Sequence, residues 1–253
     1  MKCYLVNLDR APDRLEASSR LFREAGIPFE RIRAVDGSQL TPAERRAACP
    51  PFRFYLGNAH RVLPGEIGCA LSHLQCWKTA FAGGEPLAAV FEDDVEFKGP
   101  ALLDALEAIE RGNDPAIPTV WLLHKGVPRP KELGGRPWFD ILETDDIGHV
   151  FCTPAYALNA AAARRLAKLL TPLANVADAW SMYARSGVRV LALATPCAAQ
   201  RKVSSTIEYR PNFWWRQAWF RRLHWFRWRM AFRLDLFLKR LEGKRPPVRP
   251  PAP

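Results

Sequence analysis

The run Phe91-Glu92-Asp93-Asp94 sets three carboxylates at the end of a short apolar segment, Leu87-Ala88-Ala89-Val90-Phe91. That segment reads as a buried strand. Three adjacent acids repel one another, and a bound cation removes the repulsion. Carboxylates with open positions suit a hard ion such as Mn2+ or Mg2+, whose remaining ligands can be water and phosphate oxygens. In open α/β sheets, ligands collect just beyond the carboxyl ends of strands. Residue type and position together point to a metal–diphosphate site. The competing reading is a solvated acidic turn.

Other residues fall where such a site would use them. Asn7, Asp9 and Arg10 fall at the carboxyl end of the strand-like Cys3–Leu8, and Arg14 lies in the next helix. By strand-end logic Arg10 and Arg14 are the nearest cations to a diphosphate; their alternative is a surface ion pair with Asp9 or Asp13. Asp36-Gly37 closes a second strand, either as a ribose contact or as an ordinary turn. Asp178 is the only acid between 147 and 207 and sits in a largely uncharged stretch. Such a carboxylate is a candidate general base, since a nearby apolar wall raises its pKa toward neutrality. Its alternative is a helix-terminal acid. Asp93 and Glu66 are rival bases.

Cys69, His73 and Cys76 share one helical face and could together ligate zinc. Structural zinc is closed by four ligands, and no fourth stands nearby; core packing is the plainer role for the cysteines. Asp145-Asp146 and His149 lie in a long polar segment, as a solvated loop or a source of another metal ligand.

The elements that must position these residues can be read from periodicity and breakers. The pattern predicts a strand over 3–8, a helix over 12–25 opened by Pro12 and closed by Gly26, and a strand over 29–35. Residues 38–63 look irregular apart from a short helix over 42–48. A helix over 65–82 ends at Gly83-Gly84, the acidic strand follows at 87–91, and a helix spans 100–110. Strands are expected at 119–124, at 150–158 despite Pro154, and at 188–193. A helix spans 160–170, and 125–149 reads as a loop. Alternating strands and helices imply an α/β domain with a mostly parallel sheet.

Charge divides the chain. Residues 1–200 hold 23 Lys+Arg and 23 Asp+Glu, whereas 201–253 hold 14 and 3, which is the whole net charge of +11. A neutral body carrying a basic appendage follows. Within 209–242, Trp215, Trp219, Leu223, Phe226, Met230, Leu234, Phe237 and Leu241 form one apolar stripe at helical spacing, flanked by Arg. This pattern favours a helix lying on an anionic membrane surface, the alternative being a stripe packed on the catalytic body. Nucleic-acid binding is not expected, because no nucleic-acid motif accompanies the charge. Residues 243–253 hold five prolines and read as a disordered end. The opening residues show no signal-peptide pattern, and six scattered cysteines read as reduced thiols. The expected location is therefore cytoplasmic, peripheral on the inner face of the cytoplasmic membrane.

Five segments in order resemble one family. They are Val6-Asn7-Leu8-Asp9-Arg10 with Arg14; Ala34-Val35-Asp36-Gly37; Gly65-Glu66-Ile67-Gly68-Cys69-Ala70-Leu71-Ser72-His73; Phe91-Glu92-Asp93-Asp94; and Thr153-Pro154-Ala155-Tyr156-Ala157-Leu158. Over residues 2–208 the chain resembles glycosyltransferase family 25, bacterial lipopolysaccharide and lipooligosaccharide glycosyltransferases related to the collagen galactosyltransferases. The resemblance implies a catalytic domain over 1–208 with a GT-A-type fold, a UDP-sugar donor and inversion to a β-linkage. Galactose is the first expectation for the sugar and glucose the second. It implies Asp94 as metal ligand, with Glu92 beside it or, like Asp93, facing the ribose or a metal-bound water. It implies a nucleotide-binding role for Asn7, Asp9, Arg10, Arg14, Asp36 and Gly37, and places Ser72 and His73 toward donor or acceptor. Gln200, with Ser204 and Ser205, resembles the segment that closes the domain. A lipid-linked glycan acceptor would suit the basic appendage. The alternative is a membrane-associated binding module that keeps the fold without turnover.

Overall fold

The computed structural model describes residues 1–58, 61–126, 139–141, 150 and 152–201. The predicted 209–242 helix, the 243–253 end, Asp145-Asp146, His149, Ser204 and Ser205 lie outside the described residues.

Seven strands form the central sheet: β1 (Lys2–Asn7), β2 (Phe29–Arg33), β3 (Leu87–Glu92), β5 (Thr119–Gly126), β6 (Phe139–Ile141), β7 (Ala155–Asn159) and β8 (Arg189–Leu193). Their order is β2-β1-β3-β7-β5-β8-β6. β1 pairs parallel with β2 and β3, and β5 pairs parallel with β8. β7 runs antiparallel between β3 and β5, and β6 is an antiparallel edge. The sheet is thus mixed but mostly parallel. Strand β4 (Val95–Phe97) pairs with β9 (Ala198–Gln200) in a separate two-stranded ribbon.

Helices cover both faces, which is why the strands read as unbroken apolar runs. Tyr4, Val6, Ala88 and Val90 face one cluster with Ile67, Leu74 and Trp77 of α4 (Pro64–Ala82) and Leu166 of α6 (Ala160–Leu169). Cys3, Leu5, Ala89 and Phe91 face the other, with Phe22 of α1 (Pro12–Glu24) and Leu102 and Ile109 of α5 (Gly99–Gly112). Phe22 is fully buried, with ring centroids 4.9 Å from Phe29, 5.0 Å from Phe91 and 4.9 Å from Phe97.

Several expected elements change. The 150–158 strand begins only after Pro154, whose missing N–H bars it from the ladder. The second strand ends at Arg33, short of Val35, with the Ala34 N–H making the last bond to β1, to the Asn7 carbonyl at 2.9 Å. The irregular 38–63 segment contains α3 (Pro51–Asn58) besides α2 (Pro42–Ala48), and the 125–149 loop contains β6. A short helix, α7 (Trp180–Arg185), follows Asp178.

Candidate active site

The parallel register of β2, β1 and β3 brings three strand ends side by side. Val6 pairs with Glu92, so Asn7 stands next to Asp93. Antiparallel β7 arrives from the other direction, and Glu92 N–H bonds the Pro154 carbonyl at 3.0 Å, delivering Thr153 to the same edge. A cleft opens here, lined by Asn7, Arg10, Arg14, Asp36, Gly37, Ser72, His73, Glu92, Asp93, Asp94 and Gln200. Those residues were singled out in the sequence. Asp9, Glu66 and Asp178 are not among its lining residues. Asp9 pairs with Arg31 and Arg33. Glu66 accepts the Leu63 N–H at 2.8 Å at the start of α4. Asp178 accepts the Cys152 N–H at 2.7 Å, at a residue with φ of 71°.

The α4 edge is held by close backbone approach. A Cβ on Gly37 would meet the Pro64 carbonyl oxygen at 1.7 Å, and one on Gly68 would meet the Val35 carbonyl oxygen at 2.5 Å. Only glycine fits at either place. Ser72 fastens the same joint: its hydroxyl accepts from Val35 N–H at 2.8 Å and donates to the Gly68 carbonyl at 2.6 Å. Arg10 pairs with Asp36 at 2.6 Å. Hydrogen bonds from Ser38 lower the Asp36 pKa against its burial, with Arg10 adding to the effect.

The three acids diverge. Asp93 accepts from Asn7 Nδ2 at 2.6 Å and pairs with Arg14 at 2.8 Å. Asp94 Oδ2 takes Arg14 at 2.8 Å and Gln200 Nε2 at 2.9 Å. Asp94 Oδ1 is buried with no hydrogen-bond partner among the described residues. Burial pushes both aspartate pKa values up, and the Glu92 charge adds to this in each; the hydrogen bonds from Asn7 to Asp93 and from Gln200 to Asp94, with Arg14, only partly offset it. Glu92 turns the other way. Its Oε1 meets Thr153 Oγ1 and lies 3.2 Å from His73 Nε2. Burial pushes its pKa up, but hydrogen bonds from His73 and Thr153 and the neighbouring His73 and His124 outweigh it, so the net shift is downward.

His73 is itself braced. Its Nδ1 lies 2.8 Å from the Tyr156 hydroxyl, which also accepts from Trp77 Nε1 at 2.7 Å. Sequence reasoning did not assign this support, nor that of Arg201. Arg201 reaches the Asp93 carbonyl and Ser18 Oγ, while Ser18 Oγ donates to the same carbonyl at 2.8 Å. Adjacency to Gln200 was the one available hint. Cys76 is fully buried in the core. That agrees with the core-packing role expected of it, and the described residues whose ligand atoms come together are instead Cys69, His73 and Glu92.

Among the described acids of the turn, Asp94 offers the position that a hard divalent cation would suit. Asp94 Oδ1 is a buried acceptor lacking a donor, which is what a carboxylate ligand awaiting a hard cation looks like. Glu92 is engaged with His73 and Thr153 through the oxygen it shows them.

Fold and cleft define the class: an α/β protein whose acid-rich, arginine-braced cleft lies beyond the carboxyl ends of three parallel strands, the usual ligand position in such sheets. Residues 1–123 match the family model described as glycosyltransferase family 25 (LPS biosynthesis protein). The chain is 29% identical over 171 residues to a Drosophila pseudoobscura protein named glycosyltransferase 25 family member, covering 64% of this chain and 26% of the relative. It is 31% identical over 176 residues to the human inactive glycosyltransferase 25 family member 3, covering 64% of this chain and 28% of the relative. Mouse procollagen galactosyltransferase 2 is 32% identical over 99 residues, covering 38% of this chain and 16% of the relative. The chain is thus similar to glycosyltransferase family 25 over residues 1–123, and to proteins named for that family over up to 64% of its length. It spans little more than a quarter of the length of these animal relatives at most.

Proposed function

We propose that the chain is a glycosyltransferase moving a hexose from a UDP-sugar to a glycan acceptor with inversion, on a fold compatible with the GT-A type. Galactose is the first choice of sugar, in keeping with the relatives named procollagen galactosyltransferase, and glucose the second. A lipid-linked glycan of the lipopolysaccharide class is the acceptor proposed, in keeping with the family description. The observation that carries the reading is the unpartnered Asp94 oxygen beside Arg14, at the end of β3.

In this reading Asn7, Arg10, Asp36 and Gly37 hold the nucleotide along the β1–β2 edge. Mn2+ or Mg2+ held by Asp94 would offset the charge gathering on the diphosphate leaving group. Arg14 supplies a second positive charge from α1. Gln200 and Arg201, fixed to Asp94 and to the Asp93 carbonyl, hold the acidic turn in place against α1. A general base takes the proton of the acceptor hydroxyl. Asp178 remains the proposed base, with Asp93 and Glu66 as rivals; Asp93 alone of the three lines the cleft.

The test is a panel of nucleotide sugars incubated with the purified chain, with and without Mn2+, and scored for slow donor hydrolysis. Mn2+-dependent hydrolysis of one UDP-sugar is expected. A second reading, a binding module without turnover, is favoured by the relatives named inactive; nucleotide binding with no hydrolysis and no transfer would support it.

A further inference from the structure

Cys69 and His73 stand one turn apart on α4, and Glu92 faces them from the end of β3. One ligand atom from each lies within 4.8 Å of the other two. A thiol, an imidazole and a carboxylate form a donor set suited to zinc and unlike the oxygen-only set that a hard cation takes. We propose that Cys69, His73 and Glu92 form a zinc-class metal site on the wall of the cleft, distinct from the hard-cation position at Asp94.

Two features support a built site rather than chance proximity. His73 is almost wholly buried, and its outer nitrogen already meets the Tyr156 hydroxyl, which Trp77 anchors. A metal-bound imidazole nearly always has such a partner on its far nitrogen, fixing the ring and its tautomer. Glu92 is likewise oriented by Thr153. In a tetrahedral site with Zn–S of about 2.3 Å and Zn–N of about 2.0 Å, the ligand atoms stand roughly 3.3–3.7 Å apart. The triad needs to contract by about 1 Å, which small side-chain rotations supply.

In the metal-free protein the two ring nitrogens of His73 lie within hydrogen-bond distance of the Tyr156 hydroxyl and of Glu92. A metal held at Nε2 would take the lone pair of the neutral imidazole whose proton is on Nδ1. The Cys69 thiol proton leaves to solvent. Three protein ligands leave the fourth position for water, on the side where all three residues border the cleft. Occupancy also removes Glu92 from any other task in the cleft. The site does not depend on the transfer reaction, so it stands or falls separately from it.

Cobalt reports on it directly. The full chain is titrated with Co2+ alone and followed by absorption. The expected result is one equivalent bound, with a thiolate-to-cobalt charge-transfer band in the near ultraviolet, intense visible bands of four-coordinate cobalt, and loss of both when one equivalent of Zn2+ is added. Cys69→Ser should abolish the charge-transfer band, and Glu92→Gln should weaken binding on the order of 100-fold, no less than supporting partners contribute elsewhere. Asp94→Asn and Cys152→Ser should leave the spectrum unchanged. A folded wild-type chain with no charge-transfer band overturns the site, as does a band that survives Cys69→Ser or disappears with Cys152→Ser. Should Cys69→Ser fail to fold, Glu92→Gln decides: unchanged affinity in that variant overturns the triad.

Discussion

Asp94 occupies a position that costs the free protein stability. Its carboxyl is buried, one oxygen lacks a donor, and Glu92 and Asp93 add negative charge nearby. Burial raises its pKa, and an acid raised in the fold contributes stability that is fully present below the unfolded value, about 3.9, and is lost as pH climbs through the raised value. At neutral pH the charged form therefore weighs against the metal-free fold. Asp94→Asn should melt at or above the wild-type temperature at pH 7 without metal, with the gap closing toward pH 4, and should lose any stabilisation by Mn2+. Melting curves at several pH values check both. A variant markedly less stable than wild type at pH 7 would mean that the Arg14 and Gln200 contacts outweigh burial. The type and place of this residue were legible from the acids ending an apolar run. The support around it was not, because Arg201 and Thr153 reach Asp93 and Glu92 from elements distant in sequence, while Tyr156 and Trp77 brace the neighbouring His73.

At the scale of elements, the site depends on the joint between α4 and the segment after β2. Gly37 and Gly68 allow the two backbones to touch, and Ser72 pins them. Gly37→Ala puts a methyl group 1.7 Å from a backbone oxygen, with no side chain to give way. The cost should reach roughly 3 kcal/mol, the upper end for overpacking, read by denaturant unfolding; a loss below 1 kcal/mol would show that the joint opens easily. On the opposite face Phe22→Ala should cost about 3–5 kcal/mol, since Phe22 is fully buried among Phe29, Phe91 and Phe97. The long elements were readable because two-sided burial leaves continuous apolar strands and helices carry caps and breakers. Three-residue strands such as β4, β6 and β9 carry no periodicity to read. They exist because a distant strand pairs with them, as Val95 does with Gln200.

For the whole molecule, the division of charge matters most. The net +11 resides in residues 201–253, and no helix among the described residues is long and apolar enough to cross a membrane. If residues 209–242 dock on an anionic membrane surface, the full chain should sediment with vesicles rich in acidic phospholipid, and less so as salt rises. A chain ending at residue 208 should lose that binding while keeping its response to nucleotide. Equal vesicle binding by the shortened chain would remove the membrane role from the appendage. The order of motifs made the family readable, yet the acceptor belongs to this larger scale, where no single strand end or helix face identifies it.

The central claim is that the acidic turn after β3, through Asp94, holds a cation that helps bind a nucleotide diphosphate. Calorimetric titration of UDP into the purified chain, with and without Mn2+, tests it most directly, in wild type and in Asp94→Asn. The account predicts Mn2+-dependent binding in wild type, weakened at least tenfold in the variant. UDP binding that is equally tight without Mn2+, or unchanged by Asp94→Asn, would contradict it.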